Sequence, residues 1–107
     1  MTGYQLTFFT QQDRSHDSKS LHEWLMNLVQ SMGISGATMI SAQEGIGSDH
    51  HRHSARFFEL ADQPMEITMV VSDAQCDSIL NRLNDEPDLH LFYSKTPVEF
   101  GYIGQAD

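Results

Sequence analysis

Residues 65–83 read MEITMVVSDAQCDSILNRL, and their periodicity changes at Ser72. Before Ser72 an apolar residue occupies every second position, as in a strand with one buried face. After it, apolar residues recur every three or four positions, as on one face of a helix. Ser72 and Gln75 have the spacing of a capping box, which marks a helix N-terminus. The stretch therefore predicts a strand that leads directly into a helix.

A second strand and helix are predicted near the start of the chain. Residues 4–10 read YQLTFFT and are rich in aromatic and β-branched side chains, which is typical of a strand. After a polar loop, Ser20 and Glu23 again have capping-box spacing, and apolar residues then follow helical spacing as far as Met32. Gly33 stands where a left-handed residue commonly ends a helix.

Further segments complete the pattern. Residues 36–42, 56–60 and 89–93 are predicted strands, and 98–103 either extends the last strand or forms a separate edge piece. Residues 84–87 end the second helix, because proline cannot continue the hydrogen-bond ladder. The order is β-α-β, a connection, then β-α-β. This predicts an α+β fold, a ferredoxin-like βαββαβ sandwich with an antiparallel sheet and two helices on one face.

The first strand is apolar on both of its sides. Tyr4, Leu6 and Phe8 point to one side, and Thr7 and Phe9 to the other. The chain offers no third layer of helices to cover the second face. We therefore expect subunit packing to cover it.

The composition limits the class of protein. With 107 residues and 39% hydrophobic content, the chain is expected to form one domain over 1–107. Its formal net charge is −9 and its basic residues are scattered, so we expect no nucleic-acid partner. Cys76, the single cysteine, is expected to be a buried helix residue. No membrane-spanning run and no signal-peptide pattern is seen, so a cytoplasmic protein that is not membrane-embedded is expected.

Residues 43–56 read QEGIGSDHHRHSAR and form a polar loop between two predicted strands, where a small domain commonly keeps its function. The loop holds three of the six histidines, His50, His51 and His53. Imidazoles suit a divalent metal such as zinc, copper or nickel, and His51 and His53 point to the same side of an extended chain. The alternative is an exposed polar loop whose histidines pair with nearby carboxylates.

The same loop can also hold an anion. The backbone N–H groups of Gly45, Ile46 and Gly47 can approach a phosphate, although the two glycines also suit a simple bend. Arg52 and Arg56 are the nearest phosphate partners, because guanidinium groups make bidentate contacts; their alternative is surface ion pairing. No catalytic arrangement is found, and we expect no enzymatic activity.

Several motifs together resemble the PII-like signalling proteins, and in particular the DUF190 branch of that superfamily. They lie in residues 4–9, 36–38 (GAT), 44–47 (EGIG), 53–56 (HSAR) and 67–73 (ITMVVSD). The resemblance extends over residues 4 to 103. It implies a ferredoxin-like fold, a homotrimer, and a ligand site in the clefts between subunits.

The resemblance also assigns roles. The loop at 47–55 takes the place of a mobile effector loop that responds to a ligand and docks on a target, often a membrane transporter or a metabolic enzyme. The positions that face a nucleotide in classical members correspond here to Phe8, near the adenine, and to Thr38, Gly45, Ile46 and Gly47.

The chain departs from classical members in three ways. Residues 84–88 (NDEPD) are acidic where the classical loop is glycine-rich and basic; a basic C-terminal signature is missing; and no tyrosine lies in the effector loop. The implied effector is therefore an adenine nucleotide with few phosphates, such as AMP, ADP or cAMP. A metal sensor using the loop histidines, and an interaction module without a ligand, remain the alternatives.

Overall fold

The computed structural model describes residues 1–34, 36–41, 44–46, 52–54 and 63–104. No helix in the described part of the chain is long and apolar enough to cross a membrane.

The chain forms a βαββαβ sheet with two added hairpins. Its elements are β1 (Thr2–Gln11), β2 (Ser15–His16), β3 (Lys19–Ser20), α1 (Leu21–Ser31), β4 (Thr38–Ser41), β5 (Glu44–Ile46), β6 (Arg52–Ser54), β7 (Pro64–Ser72), α2 (Asp73–Asn84) and β8 (Phe92–Glu99). The main sheet is antiparallel in the order β4-β7-β1-β8, while β2 pairs with β3 and β5 with β6. The predicted ferredoxin-like fold is confirmed.

The core lies between the sheet and both helices. Leu6 and Phe8 of β1 and Ile67 of β7 pack against buried residues of α1 and α2, and Leu25 and Ile79 are fully buried. Each such side chain contributes about 1.5–3 kcal/mol relative to an exposed one. Cys76 is also fully buried, as predicted, and this burial raises the pKa of its thiol.

The helix ends agree with the sequence in two places. The Ser72 hydroxyl accepts from the Gln75 amide at 3.2 Å, and the Gln75 side chain accepts from the Ser72 amide at 3.0 Å. At the end of α1, Gly33 has φ 77° and its N–H donates to the Gln30 carbonyl at 3.0 Å. The predicted capping box at Ser72 and the left-handed residue at Gly33 are confirmed.

The predicted capping box at Ser20 is wrong. Ser20 does occupy the N-cap position, but its side chain makes no cap hydrogen bond and its hydroxyl is buried without a partner among the described residues. The reason is that Ser20 already belongs to β3. The first helical N–H, that of Leu21, donates instead to the Arg14 carbonyl at 2.8 Å.

The polar loop after β1 contains a tight hairpin that was not predicted. Strands β2 and β3 pair Ser15 with Ser20 and His16 with Lys19. The two central residues, Asp17 and Ser18, have φ of 53° and 66°, as a type I′ turn requires. The Asp-Ser pair is a weak hairpin signal, because glycine is the usual residue at such angles.

The last strand differs from its prediction. It was expected at 89–93, but β8 runs over Phe92–Glu99, and Leu89 packs into the core just before it. Pro97 lies within β8, which is compatible with an edge strand. The described residues after Glu99 form no strand, so the predicted piece at 98–103 is wrong beyond that residue. The predicted strand at 56–60 lies outside the described residues.

The sheet face opposite the helices, which we call the open face, carries exposed apolar side chains in the described part of the chain. Thr7 and Thr68 lie on it, and their hydroxyls are 3.0 Å apart. Apolar side chains lie on its two edge strands: Ile40 of β4 is 49% exposed and Phe92 of β8 is 63% exposed. This is the second apolar face that the sequence predicted, and its cover by other subunits stays a prediction.

Candidate functional site

The predicted effector loop starts from the edge of the sheet. It lies in the connection between the neighbouring strands β4 and β7, where β5 pairs with β6 in antiparallel fashion. Gly45 stands opposite His53, and Ile46 opposite Arg52. The hairpin therefore pairs two residues predicted to bind a nucleotide, Gly45 and Ile46, with residues of β6 that were also predicted site residues.

Four of the predicted site residues lie outside the described residues. They are Gly47, His50, His51 and Arg56. No group of three or more His, Cys, Asp or Glu side chains in the described part of the chain is arranged to hold a metal ion. The metal site at the loop histidines is untested by this finding and stays a prediction.

Phe8 and Thr38 are separated by the sheet. Phe8 lies on the helix face of β1 and is 1% exposed, whereas Thr38 lies on the open face of β4 and is exposed. Strand β7 stands between the two strands, and two strand spacings amount to about 10 Å. One ligand bound to a single chain therefore cannot contact both side chains without crossing the sheet.

Although it is buried, Phe8 lies at the bottom of a pocket of about 220 Å³ between α2 and β8. We call it the Phe8–Tyr93 pocket. It is lined by Phe8, Leu80, Leu83, Asn84, Glu86, Leu89, His90, Leu91 and Tyr93. The Phe8 and Tyr93 ring centroids lie 6.2 Å apart, and Tyr93 is 45% exposed. The pocket thus has an aromatic and aliphatic floor and a polar rim.

The sequence did not identify Tyr93 as a pocket residue. The signal for it is register: β8 pairs Tyr93 directly with Phe8 across the strands. This pairing can be inferred only when the start of β8 is known. The sequence predicts a start at residue 89, three residues before the observed start at Phe92. The composition of segment 84–88 shows that it is acidic, but it does not indicate that the segment borders a pocket.

The rim carboxylate of Glu86 is engaged within the chain. Its Oε1 lies 2.9 Å from His16 Nε2, and its Oε2 accepts from Arg82 at 2.7 Å. These two hydrogen bonds, that of His16 first, lower the pKa of Glu86. The Glu86 charge is therefore already paired. The carboxylates of segment 84–88 that can repel a phosphate are those of the exposed residues Asp85 and Asp88.

Three of the six basic residues have partners in the described structure. Arg14 donates to the carbonyl of His90, Arg82 pairs with Glu86, and the Lys95 ammonium lies 4.2 Å from the centroid of the Tyr4 ring. The other three are Lys19, which is exposed on the β2–β3 hairpin, and the loop residues Arg52 and Arg56.

A second, open cavity of about 390 Å³ lies at the start of β1. Its charged lining residues are Asp73 and Glu99, and no lysine or arginine of the described segments lines it. An anionic ligand is disfavoured there, because two carboxylates would repel it.

The fold is shared with PII-like signalling proteins of known structure. A protein from Thermus thermophilus described as a PII-like signaling protein superposes with a TM-score of 0.63 at 21% identity, covering 92% of this chain and 86% of that one. CPII from Thiomonas intermedia, a nitrogen regulatory PII-like protein, superposes with a TM-score of 0.65 at 18% identity, covering 92% and 89%. That CPII structure holds ADP, AMP and bicarbonate.

The family itself is shown by sequence. Residues 3–94 match the model of DUF190, described as Uncharacterized ACR, COG1993. The chain belongs to this family, and the predicted resemblance is confirmed. No curated protein matches the chain.

Proposed function

We propose that this protein is a non-enzymatic, PII-like regulator that senses an adenine nucleotide, AMP, ADP or cAMP, in clefts between the subunits of a homotrimer. The observation that carries the proposal is the position of Phe8. This residue, predicted to lie near the adenine, forms the floor of an aromatic surface pocket in a fold shared with CPII, whose structure holds ADP and AMP.

The base-binding half is assigned to the Phe8–Tyr93 pocket. Tyr93 is a half-exposed aromatic side chain beside an apolar floor, so it can cover one face or edge of a purine. Asn84 supplies amide donor and acceptor groups at the rim. A purine therefore finds an apolar floor and a hydrogen-bonding edge in the same pocket.

The phosphate-binding half is assigned to the effector loop of a neighbouring subunit. Thr38 and Gly45 precede this loop, and Arg52 within it pairs with Ile46. Because the sheet separates Thr38 from Phe8 within one chain, the two halves meet only if different subunits supply them. Arg52 and Arg56 supply the cations, since the other arginines are engaged elsewhere.

The output is assigned to residues 47–55. A ligand that contacts Gly45, Ile46 and Gly47 at the base of the loop favours the loop conformations that accommodate it and depletes the others. The loop then presents or withholds a docking surface for a target, such as a membrane transporter or a metabolic enzyme. Binding alone performs this regulation, so no catalytic group is required.

Thermal unfolding in the presence of nucleotides tests the proposal. A ligand at 100 times its Kd stabilises the folded protein by about 2.7 kcal/mol, which raises the melting temperature by several degrees. We expect AMP or ADP to raise it more than ATP, because Asp85 and Asp88 disfavour added negative charge. A protein that shows no shift with AMP, ADP, cAMP or ATP would refute nucleotide sensing.

The three loop histidines support a second candidate, a metal sensor at His50, His51 and His53. In that case Zn²⁺ or Cu²⁺ stabilises the protein, and the joint substitution His51→Ala and His53→Ala abolishes the effect. An unchanged melting temperature with both nucleotides and metals would instead favour an interaction module without a small ligand.

A further inference from the structure

One wall of the Phe8–Tyr93 pocket is tied to a hairpin distant in sequence. The wall is the segment 84–91, which contributes Asn84, Glu86, Leu89, His90 and Leu91 to the lining. The Arg14 guanidinium donates to the His90 carbonyl, and the His16 ring hydrogen-bonds to the Glu86 carboxylate. Both tethers therefore start within three residues at the β2–β3 hairpin and end on residues that line the pocket.

The His16–Glu86 contact is largely shielded from water. The exposed fractions of the two side chains are 13% and 17%. The His16 ring also packs edge-on against Trp24, with centroids 4.5 Å apart, and Arg82 occupies the second Glu86 oxygen. Partial burial and a shared carboxylate make such a contact stronger than an exposed surface ion pair.

The wall has few other attachments. Beyond α2, whose last residue is Asn84, the Asp85 and Glu86 amides donate to the Asn81 and Leu83 carbonyls at the end of the helix. Leu89 adds a buried side chain and Leu91 a partly buried one, and both belong to or pack against the core. Between the end of α2 and the start of β8, the tethers from Arg14 and His16 are therefore a main restraint on the segment.

We propose that the β2–β3 hairpin is a clamp that positions the wall of the Phe8–Tyr93 pocket, with Arg14 and His16 as its positioning residues. The clamp follows from the contacts alone, whereas its effect on ligand affinity rests on the proposed nucleotide binding. Coupling between two sites is reciprocal: if the clamp favours ligand binding, the bound ligand stabilises the clamp to the same degree.

Amide exchange tests the clamp without any ligand. In His16→Ala we expect the amides of Asp85 and Glu86 to exchange about 10-fold faster than in the wild type, because the loss of a hydrogen bond to a charged group lowers the local opening energy. Lys19→Ala is the matched control, since Lys19 is exposed in the same hairpin. Equal exchange rates in His16→Ala and Lys19→Ala would overturn the clamp.

Glu86→Gln keeps the test decisive if His16→Ala does not fold. It retains the size of the side chain and one amide oxygen but removes the charge, so the same two amides should exchange faster, though by a smaller factor. Unchanged exchange in a folded Glu86→Gln protein would overturn the clamp as well.

Titration with ADP tests the coupling. We expect the Kd of His16→Ala to rise about 10-fold above the wild-type value, and that of Lys19→Ala to stay unchanged. An unchanged Kd in a protein whose segment 84–91 exchanges faster would refute the positioning role. If the wild type binds no adenine nucleotide, the proposed function fails while the exchange result still decides the clamp.

Discussion

His16 Nε2 lies 2.9 Å from Glu86 Oε1, and this contact joins two segments that are 70 residues apart in the chain. The first segment is the β2–β3 hairpin after β1, and the second follows α2. Arg82 completes the contact by donating to the other Glu86 oxygen. The charge of Glu86 is thus held between a ring nitrogen and a guanidinium group, which gives this contact a defined pH dependence.

We expect the contribution of Glu86 to stability to disappear in acid. Its pKa is lowered in the folded protein, chiefly by the His16 hydrogen bond and then by that of Arg82. Stabilisation from a lowered carboxyl pKa is fully present above the unfolded pKa and is lost as pH falls through the folded pKa. Urea unfolding of wild type and Glu86→Gln should therefore show a wild-type advantage near pH 6 that shrinks toward about pH 3.

The control for this prediction is Asp88→Asn, an exposed carboxyl in the same segment. Its free energy of unfolding should follow the wild-type pH profile closely. An advantage of wild type over Glu86→Gln that stayed constant between pH 6 and pH 3 would show that the Glu86 carboxylate is not selectively stabilised in the folded state.

The two serines at the helix N-termini should differ in their contributions. Ser72→Ala removes a hydroxyl that accepts from the Gln75 amide, and such N-cap losses cost about 0.5–2 kcal/mol. Ser20→Ala removes a buried hydroxyl with no partner among the described residues, so we expect little change or a gain in stability. Chemical denaturation of both variants checks this, and a larger loss at Ser20 than at Ser72 would contradict it.

Gly3 should be intolerant of any side chain. A Cβ at this position would collide with the carbonyl oxygen of Val71, a backbone atom of the paired strand β7. We expect Gly3→Ala to lower the free energy of unfolding by about 1–3 kcal/mol or more, as overpacking does. Gly101→Ala is the matched control, because no atom of the described residues lies within 4 Å of its added Cβ. Equal melting temperatures for the two variants would count against the close approach of β1 and β7.

The open face should mediate self-association. If subunits cover this face, the wild type has three times the 12.1 kDa mass of the chain by light scattering. Phe92→Glu places a charge on the face where Phe92 is 63% exposed, and we expect it to dissociate the trimer. Ser78→Glu adds the same charge on the exposed side of α2 and should leave the mass unchanged. A wild-type monomer would exclude the inter-subunit cleft.

The regular elements were predictable because their local and tertiary preferences agree. At Ser72 the change of period, the cap and the burial of Ile67 and Ile79 all favour the same strand and helix. The predictions failed where the structure overrides local preference. Ser20 has the spacing of a capping residue, but its backbone is held by the hairpin pairing of β3. Leu89 was predicted to begin a strand because it is apolar, whereas it packs into the core just before the strand.

The candidate site was only partly predictable for a related reason. The family resemblance predicts Phe8 as a site residue, whereas Tyr93 is brought next to it only by the register of β1 with β8. The contact between His16 and Glu86 depends on a hairpin turn formed by two non-glycine residues with positive φ. Neither register nor such a turn leaves a pattern in the local sequence, so these long-range pairs became visible only in three dimensions.

Calorimetric titration of ADP into the wild-type protein, with Tyr93→Ala and Lys19→Ala in parallel, tests nucleotide sensing most directly. We predict saturable binding of one ADP per chain to the wild type and to Lys19→Ala. Folded Tyr93→Ala should bind ADP at least about 10-fold more weakly, because the loss of an aromatic contact and its buried area costs about 1–3 kcal/mol. Absence of ADP and AMP binding to a folded wild-type protein, or full affinity in Tyr93→Ala, would contradict the assignment of the Phe8–Tyr93 pocket as the nucleotide site.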